Sequence, residues 1–185
     1  YLGSLCNVPT HRIALTENVT TGCILPLWGI PFSSGDHILI SDCEHPGVVA
    51  SCKELARRNN LSIDLLPLSK FNDGIEKKES TDLKILETIQ RNLTKKSRLV
   101  VISHVLWNTG VIMPIELIGK YLSETSTKPF LLVDAAQSFG QIPINGAAQY
   151  ADIYSFTGHK WACGPEGLGG VAISERILNE VNPTM

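Results

Sequence analysis

Short apolar runs of strand length recur along this chain, and helix-length amphipathic segments separate most of them. The runs fall near Arg12–Thr16, His37–Ser41, Ser62–Pro67, Arg98–His104, Phe130–Asp134, Asp152–Phe156 and Gly169–Ile173. Most are continuous Leu, Ile and Val, the pattern of strands buried on both faces. Helices are expected near Val19–Trp28, Pro46–Asn59, Leu83–Asn92 and Pro114–Ser123, with Pro46 and Pro114 suited to a first turn. Repeated strand–helix–strand units imply a largely parallel sheet with right-handed crossovers. The glycine-rich turn before the last run is too short for a helical crossover, so that strand is expected to run antiparallel. The fold class is therefore α/β, a three-layer αβα architecture on a mostly parallel seven-stranded sheet with one antiparallel strand. Phe71–Thr81, rich in Asn, Asp, Gly and charge, reads as a surface loop.

The length of 185 residues suits one domain with a sizeable core, and a net charge of −2 gives no electrostatic case for nucleic acid or an anionic membrane. No apolar run reaches transmembrane length. The five cysteines, Cys6, Cys23, Cys43, Cys52 and Cys163, have no C-x-x-C spacing. They read as reduced thiols of a cytoplasmic protein, and no metal site is expected. Cys163 reads as a packed residue, and Cys43 and Cys52 as core and helix positions.

Ligands of open α/β sheets sit at the carboxyl ends of the strands. Thr16, His45, His104, Asp134 and Thr157 all fall at or just after predicted strand ends. Ser155-Phe156-Thr157-Gly158-His159-Lys160 follows Leu132-Val133-Asp134-Ala135-Ala136-Gln137 by about one crossover. A lysine there suits a covalent carbonyl trap, and an aspartate ending the preceding strand suits a cationic ring nitrogen. The pair suggests pyridoxal 5'-phosphate (PLP), with Lys160 forming the Schiff base and Asp134 facing the pyridinium. Val19, Thr20, Thr21 and Gly22 open a predicted helix, whose free N–H groups and dipole favour an anion. An ordinary capped helix start would look the same locally. In the same way His45 could be a surface residue at a helix cap, His159 a structural histidine, and Asp134 a cap of its own turn.

These residues carry a family likeness across nearly the whole chain. Asp134-x-x-Gln137, Thr157-Gly158-His159-Lys160, Gly164-Pro165-x-Gly167-x-Gly169-Gly170, Glu44-His45 and Ser103-His104-Val105-Leu106-Trp107-Asn108-Thr109-Gly110 resemble the class V aminotransferase superfamily of fold type I PLP enzymes. Thr16–Gly22 and Trp107–Gly110 are most similar to its cystine/cysteine C–S lyase branch. The resemblance implies that residues 1–185 form the PLP-binding large domain, with an N-terminal segment and a C-terminal small domain elsewhere. It implies Lys160, His45 and Asp134 as catalytic residues, with His45 stacked on the ring. It further implies that Val19, Thr20, Thr157 and His159 meet the phosphate and Gln137 the ring oxygen.

The expected reaction is β-elimination from a small sulfur amino acid, with a homodimer as the working unit. Cysteine desulfuration and amino-acid epimerisation are the alternatives within the superfamily. From another class, the chain could be a non-catalytic, fold-retaining interaction domain or an inactive fragment. Trp107 stands where desulfurases have an asparagine, with Asn108 one place later. It reads equally as filler beside the fourth strand or as a wall of the substrate pocket.

Overall fold

The computed structural model describes residues 1–71 and 78–182. Its strands are β1 (Ile13–Thr16), β2 (His37–Ser41), β3 (Ser62–Leu66), β4 (Ser97–Ser103), β5 (Phe130–Asp134), β6 (Ile153–Thr157) and β7 (Gly169–Ile173). They form a single sheet in the order β1-β7-β6-β5-β4-β2-β3. All neighbours are parallel except at β7, which runs antiparallel to both β6 and β1. The seven-stranded, mostly parallel α/β fold is the one expected. The glycine-rich turn does reverse the chain, which places β7 beside the strand that leads to Lys160.

The helices are α1 (Leu2–Cys6), α2 (Val19–Gly29), α3 (Pro46–Asn59), α4 (Lys78–Asn92), α5 (Ile115–Glu124), α6 (Asn145–Tyr150) and α7 (Glu175–Glu180), with a 3-10 turn at Thr10–Arg12. Strand alternation sorts the core into two layers. Leu99 and Val101 of β4 and Phe130 and Leu132 of β5 pack with Cys23 and Leu27 of α2 and Val48, Cys52 and Leu55 of α3. Val100, Ile102, Leu131 and Val133 face the other way, onto Ile85 and Ile89 of α4, Ile118 and Leu122 of α5 and Ala147 and Ala148 of α6. The central strands are buried on both faces, as their unbroken apolar runs require. The edge strands β1 and β3 are not, and Leu15 and Leu65 are exposed.

Three differences from the sequence reading have physical causes. The helices α1 and α6 are five and six residues long, too short to show an apolar period. The polar stretch from Lys78 to Thr81 belongs to helix α4 rather than to a loop; residues 72–77 of that expected loop lie outside the described residues. Lys78, Glu79 and Ser80 are exposed, so a polar composition there is compatible with a helix face in solvent. Pro114 is the N-cap of α5, one place before the helix it was expected to open.

Candidate functional site

Ser103 and Asp134 end β4 and β5, and Ser155 lies in the middle of β6; the three are in register on neighbouring parallel strands, Ser103 opposite Asp134 and Asp134 opposite Ser155. By alternation all three side chains point to the α2–α3 face. Each does something different there. Ser155 is fully buried and its hydroxyl donates to the Val19 carbonyl at 2.8 Å, which pins the first turn of α2 onto the sheet. Gly22 makes that approach possible, because a Cβ there would lie 2.2 Å from the Ser155 hydroxyl. The residue at 22 is thus glycine for contact rather than for an unusual φ.

Helix α2 therefore aims its N-terminus across the strand ends. Asn18 is its N-cap and accepts from the Thr21 N–H at 2.9 Å, while the Gly22 N–H reaches the Asn18 carbonyl at 3.1 Å. The N–H groups of Val19 and Thr20 take no partner among the described residues. The structure thus has a capped helix start and still leaves two donors open.

A cavity of about 500 Å³ lies over these strand ends. Val19, Thr20, His45, Asp134, Gln137, His159 and Lys160 all line it, so most of the residues expected at the site are brought together. Thr157 does not line it. That side chain is buried, and its hydroxyl lies 2.8 Å from Nδ1 of His159, so it reaches the site by orienting the imidazole and leaving Nε2 toward the cavity. Asp134 is 6% exposed; its Oδ1 accepts from the Ala136 N–H at 2.8 Å, so it does cap its own turn. Its second oxygen takes no hydrogen bond among the described residues. Burial pushes this carboxyl above the usual carboxylate range, opposed by the Ala136 N–H and the charges of Lys160 and His45. Asp134 is therefore both a turn cap and a carboxylate presented to the cavity.

His45 is exposed and is the N-cap of α3, where Nδ1 accepts from the Gly47 N–H at 3.2 Å. That bond assigns the ring proton to Nε2. Gln137 gives its amide oxygen to the Trp161 indole N–H at 2.9 Å, which turns its amide nitrogen away from the loop. Lys160 sits in an exposed stretch running from His159 to Leu168, broken only by half-buried Gly164.

Several sequence expectations change here. His104 follows Ser103 and so belongs to the opposite face; it is buried, with Nδ1 2.8 Å from the Tyr154 hydroxyl, and lines a separate groove. It is not part of the site. Thr16 spends its hydroxyl on the Asn18 carbonyl at 2.9 Å, which braces the α2 cap. Trp107 is 61% exposed and lines the cavity, so the core-filler alternative is overturned. A hairpin presents it: Val105 bridges Ile112, Leu106 is buried, and Gly110 turns at φ +76°. Asn108 turns back to the Cys43 sulfur at 3.4 Å. Cys163 is exposed, at φ +53°, which overturns its expected packing; Cys43 and Cys52 are buried as expected. Asn18, Ser103, Val105 and Ala136 also line the cavity, and sequence reasoning assigned them no role. The strand parity shared by Ser103 and Asp134 was the signal for the serine.

The class V aminotransferase family profile matches residues 2–185. The chain belongs to this family. Cysteine desulfurase IscS of Buchnera aphidicola subsp. Schizaphis graminum is 32% identical over 95% of this chain and 41% of its own length. The enzyme of the same name from Shewanella sediminis is 31% identical over all of this chain and 43% of its own length. Among solved structures, the cystine C–S lyase C-DES in complex with cysteine persulfide superposes with a TM-score of 0.88 at 37% identity, over 99% of this chain and 46% of that one. A C-DES mutant with glycine covalently linked to its PLP cofactor matches equally well. This class V chain spans less than half the length of each of these relatives. Among the described residues no helix is long and apolar enough to cross a membrane.

Proposed function

We propose that this chain is the PLP-binding large domain of a cytoplasmic, homodimeric enzyme that cleaves the C–S bond of cysteine or cystine by β-elimination. One observation carries the reading. Lys160 and the open oxygen of Asp134 share a cavity with two unpaired N–H groups at the start of α2. The donor set fits PLP group by group. The N–H groups of Val19 and Thr20, the Thr20 hydroxyl and His159 Nε2 suit a phosphate. The buried Asp134 carboxylate suits a protonated ring nitrogen, and the Gln137 amide suits the ring oxygen. His45 supplies a flat face for stacking.

When bound, PLP supplies the aldehyde that Lys160 captures and the sink for electrons released at Cα of the substrate. The chain's residues do the rest. The open oxygen of Asp134 would hold a proton on the ring nitrogen, which keeps the sink effective. Lys160 Nζ would hold the cofactor's aldehyde carbon, and as a free amine it would be the general base for the Cα proton. The overall reaction takes up one water and yields pyruvate, ammonia and a sulfide or persulfide. Trp107 walls the substrate side of the cavity. Its place there, with Asn108 turned toward Cys43, supports the lyase branch over a desulfurase, in which an asparagine would meet the cofactor.

The second reading, desulfuration to alanine, is favoured by the names of the IscS relatives. Product analysis on the protein expressed from its complete reading frame separates the two. With L-cystine or L-cysteine, pyruvate and ammonia are expected. Dominant alanine would replace lysis by desulfuration, and racemised substrate would point to epimerisation. Borohydride treatment should bleach the cofactor band and leave its mass on the Lys160 peptide; absence of that mass would end the PLP reading.

A further inference from the structure

Glu44 is 6% exposed, does not line the cavity, and has no part in the chemistry above. Its two oxygens nevertheless hold one cavity residue. Oε1 accepts from the Ser103 N–H at 2.7 Å and Oε2 from the Ser103 hydroxyl at 2.8 Å. Ser41, at the end of β2, lies near the same carboxyl and favours its charged form. One carboxyl thus ties the end of β2 to the end of β4. His45, on the cavity wall, is the next residue in the chain, and Asp134 is the registered neighbour of Ser103.

We propose that Glu44 is a positioning residue for the cofactor site: it locks the Ser103 wall against the His45 turn and lends a negative field to Asp134. The proposal rests on the PLP reading. Charge-assisted bonds from a backbone N–H and a hydroxyl of the same residue fix Ser103 in both position and rotamer. The groups that face Glu44 leave one receiver for its field. Cys23 on α2, Cys52 on α3 and Cys43 in the adjoining turn are thiols that burial pushes up, Cys52 to about 12, so they stay neutral. Asp42 lies beside Cys43 but is held below its usual range by Ser69 and Leu68 donors, facing away from the site. Asp134 on β5 remains, with Lys160 and His45 acting on it from the cavity side. Burial, and then the nearby Asp134 carboxylate, push Glu44 up to about 7, so its charge is present above neutrality and fades below it. Two buried carboxylates whose charges act on one another titrate as a pair.

The test uses the cofactor-loaded, full-length protein with Glu44→Gln and Glu44→Leu. Three quantities are read: borohydride-fixed cofactor mass on Lys160, the pH midpoint of the bound cofactor's absorbance, and KM against kcat. Glu44→Gln keeps one acceptor for Ser103 but removes the charge. It should retain the cofactor while the midpoint moves down by roughly 0.5–1 pH unit, because a negative charge that stabilises the protonated form is gone. Glu44→Leu also loses the clamp, so KM should rise further. If Glu44→Leu does not fold, Glu44→Gln decides alone. An unmoved midpoint in fully loaded Glu44→Gln overturns the proposal, as does a lowered melting temperature with no change in midpoint. A wild type with no fixed mass on Lys160 overturns both this proposal and the PLP reading beneath it.

Discussion

Ser103 and His104 are adjacent in sequence and serve opposite faces of the sheet. On the face of Ser103, polar groups are left partly unpaired: one oxygen of Asp134, the amide nitrogen of Gln137 and two N–H groups of α2. On the face of His104, two hydroxyls and one ring nitrogen close on one another. His104 Nδ1 meets the Tyr154 hydroxyl at 2.8 Å, and that hydroxyl lies 3.1 Å from the hydroxyl of Ser138. Both faces bury polar side chains, and burial alone does not separate a site from a brace. What separates them is convergence: among the described residues the open Asp134 oxygen, the Val19 and Thr20 N–H groups, His159 and Lys160 meet in one cavity, whereas across the sheet the Tyr154, Ser138 and His104 Nδ1 groups satisfy one another.

The comparison breaks first at Lys160. Lys160→Ala in the full-length protein removes both anchor and base, so borohydride should fix no cofactor mass at that position and turnover should fall to background. Near-normal turnover would empty the site face of its assigned chemistry. Asp134→Ala is the next largest effect. Electrostatic support of this kind is often worth about 3–4 kcal/mol, so turnover should drop roughly a hundred- to a thousandfold with some cofactor still bound. A mutant within a few-fold of wild type would show that Asp134 serves its turn alone.

The order of these effects follows from residues visible in the sequence. Lys160 and Asp134 stood out because each follows an apolar run whose length and position fixed its strand, and the likeness to class V enzymes tied them together. The central strands were equally legible, because burial on both faces leaves no choice but continuous Leu, Ile and Val. What the sequence hid was direction. Ending a strand points His104 and Thr16 to the site, but alternation sends His104 to the far face and Thr16 spends its hydroxyl on Asn18. Core and wall both want a large aromatic, so sequence leaves Trp107 open; a bridge between Val105 and Ile112 decides it. Cysteine is usually buried, yet Cys163 falls in an exposed loop. Helices α1 and α6 are not legible because one or two turns carry no period.

The two faces should also answer pH with opposite signs. Burial, aided by the charge of Lys78, holds His104 down to about 4 from an ordinary value near 6.5. The unfolded chain binds that proton first, so stability is intact above about 6.5 and falls as pH drops toward 4, by roughly 3 kcal/mol in all. On the site face the sign reverses. The folded Glu44 carboxyl sits at about 7 against 4.5 in the unfolded chain, so its contribution is full below about 4.5 and is lost as pH rises through 7. The two windows overlap between about 4.5 and 6.5 and oppose each other, so wild-type unfolding midpoints should change little from pH 4 to 8. His104→Asn should unmask a fall in midpoint as pH rises from about 4.5 to 7 without moving the cofactor's absorbance, whereas Glu44→Gln should unmask a fall as pH drops from about 6.5 to 4 and move it. A wild-type profile in His104→Asn would show that the far network does not carry the histidine's cost.

The smallest effect belongs to Cys163, which lies three residues after Lys160 but lines neither the cavity nor the core. Its sulfur lies 3.7 Å from the Trp161 carbonyl and its backbone is left-handed, at φ +53°. A side chain in that region costs about 1–2 kcal/mol relative to glycine, so Cys163→Gly should fold at least as well as wild type. In a lyase the leaving sulfur needs no protein thiol, and turnover of Cys163→Gly should stay within about twofold of wild type, since the change touches none of the groups invoked for the barrier. A desulfurase needs a thiolate to take the sulfur. Cys163 is an exposed thiol in the loop that carries Lys160, so it is the cysteine here that such chemistry could reach. Steady-state pyruvate and alanine assays on the loaded variant decide the matter. Lost turnover with full cofactor and unchanged melting would move sulfur transfer into this loop, and the distinction between a reactive face and a structural one would then have to include it.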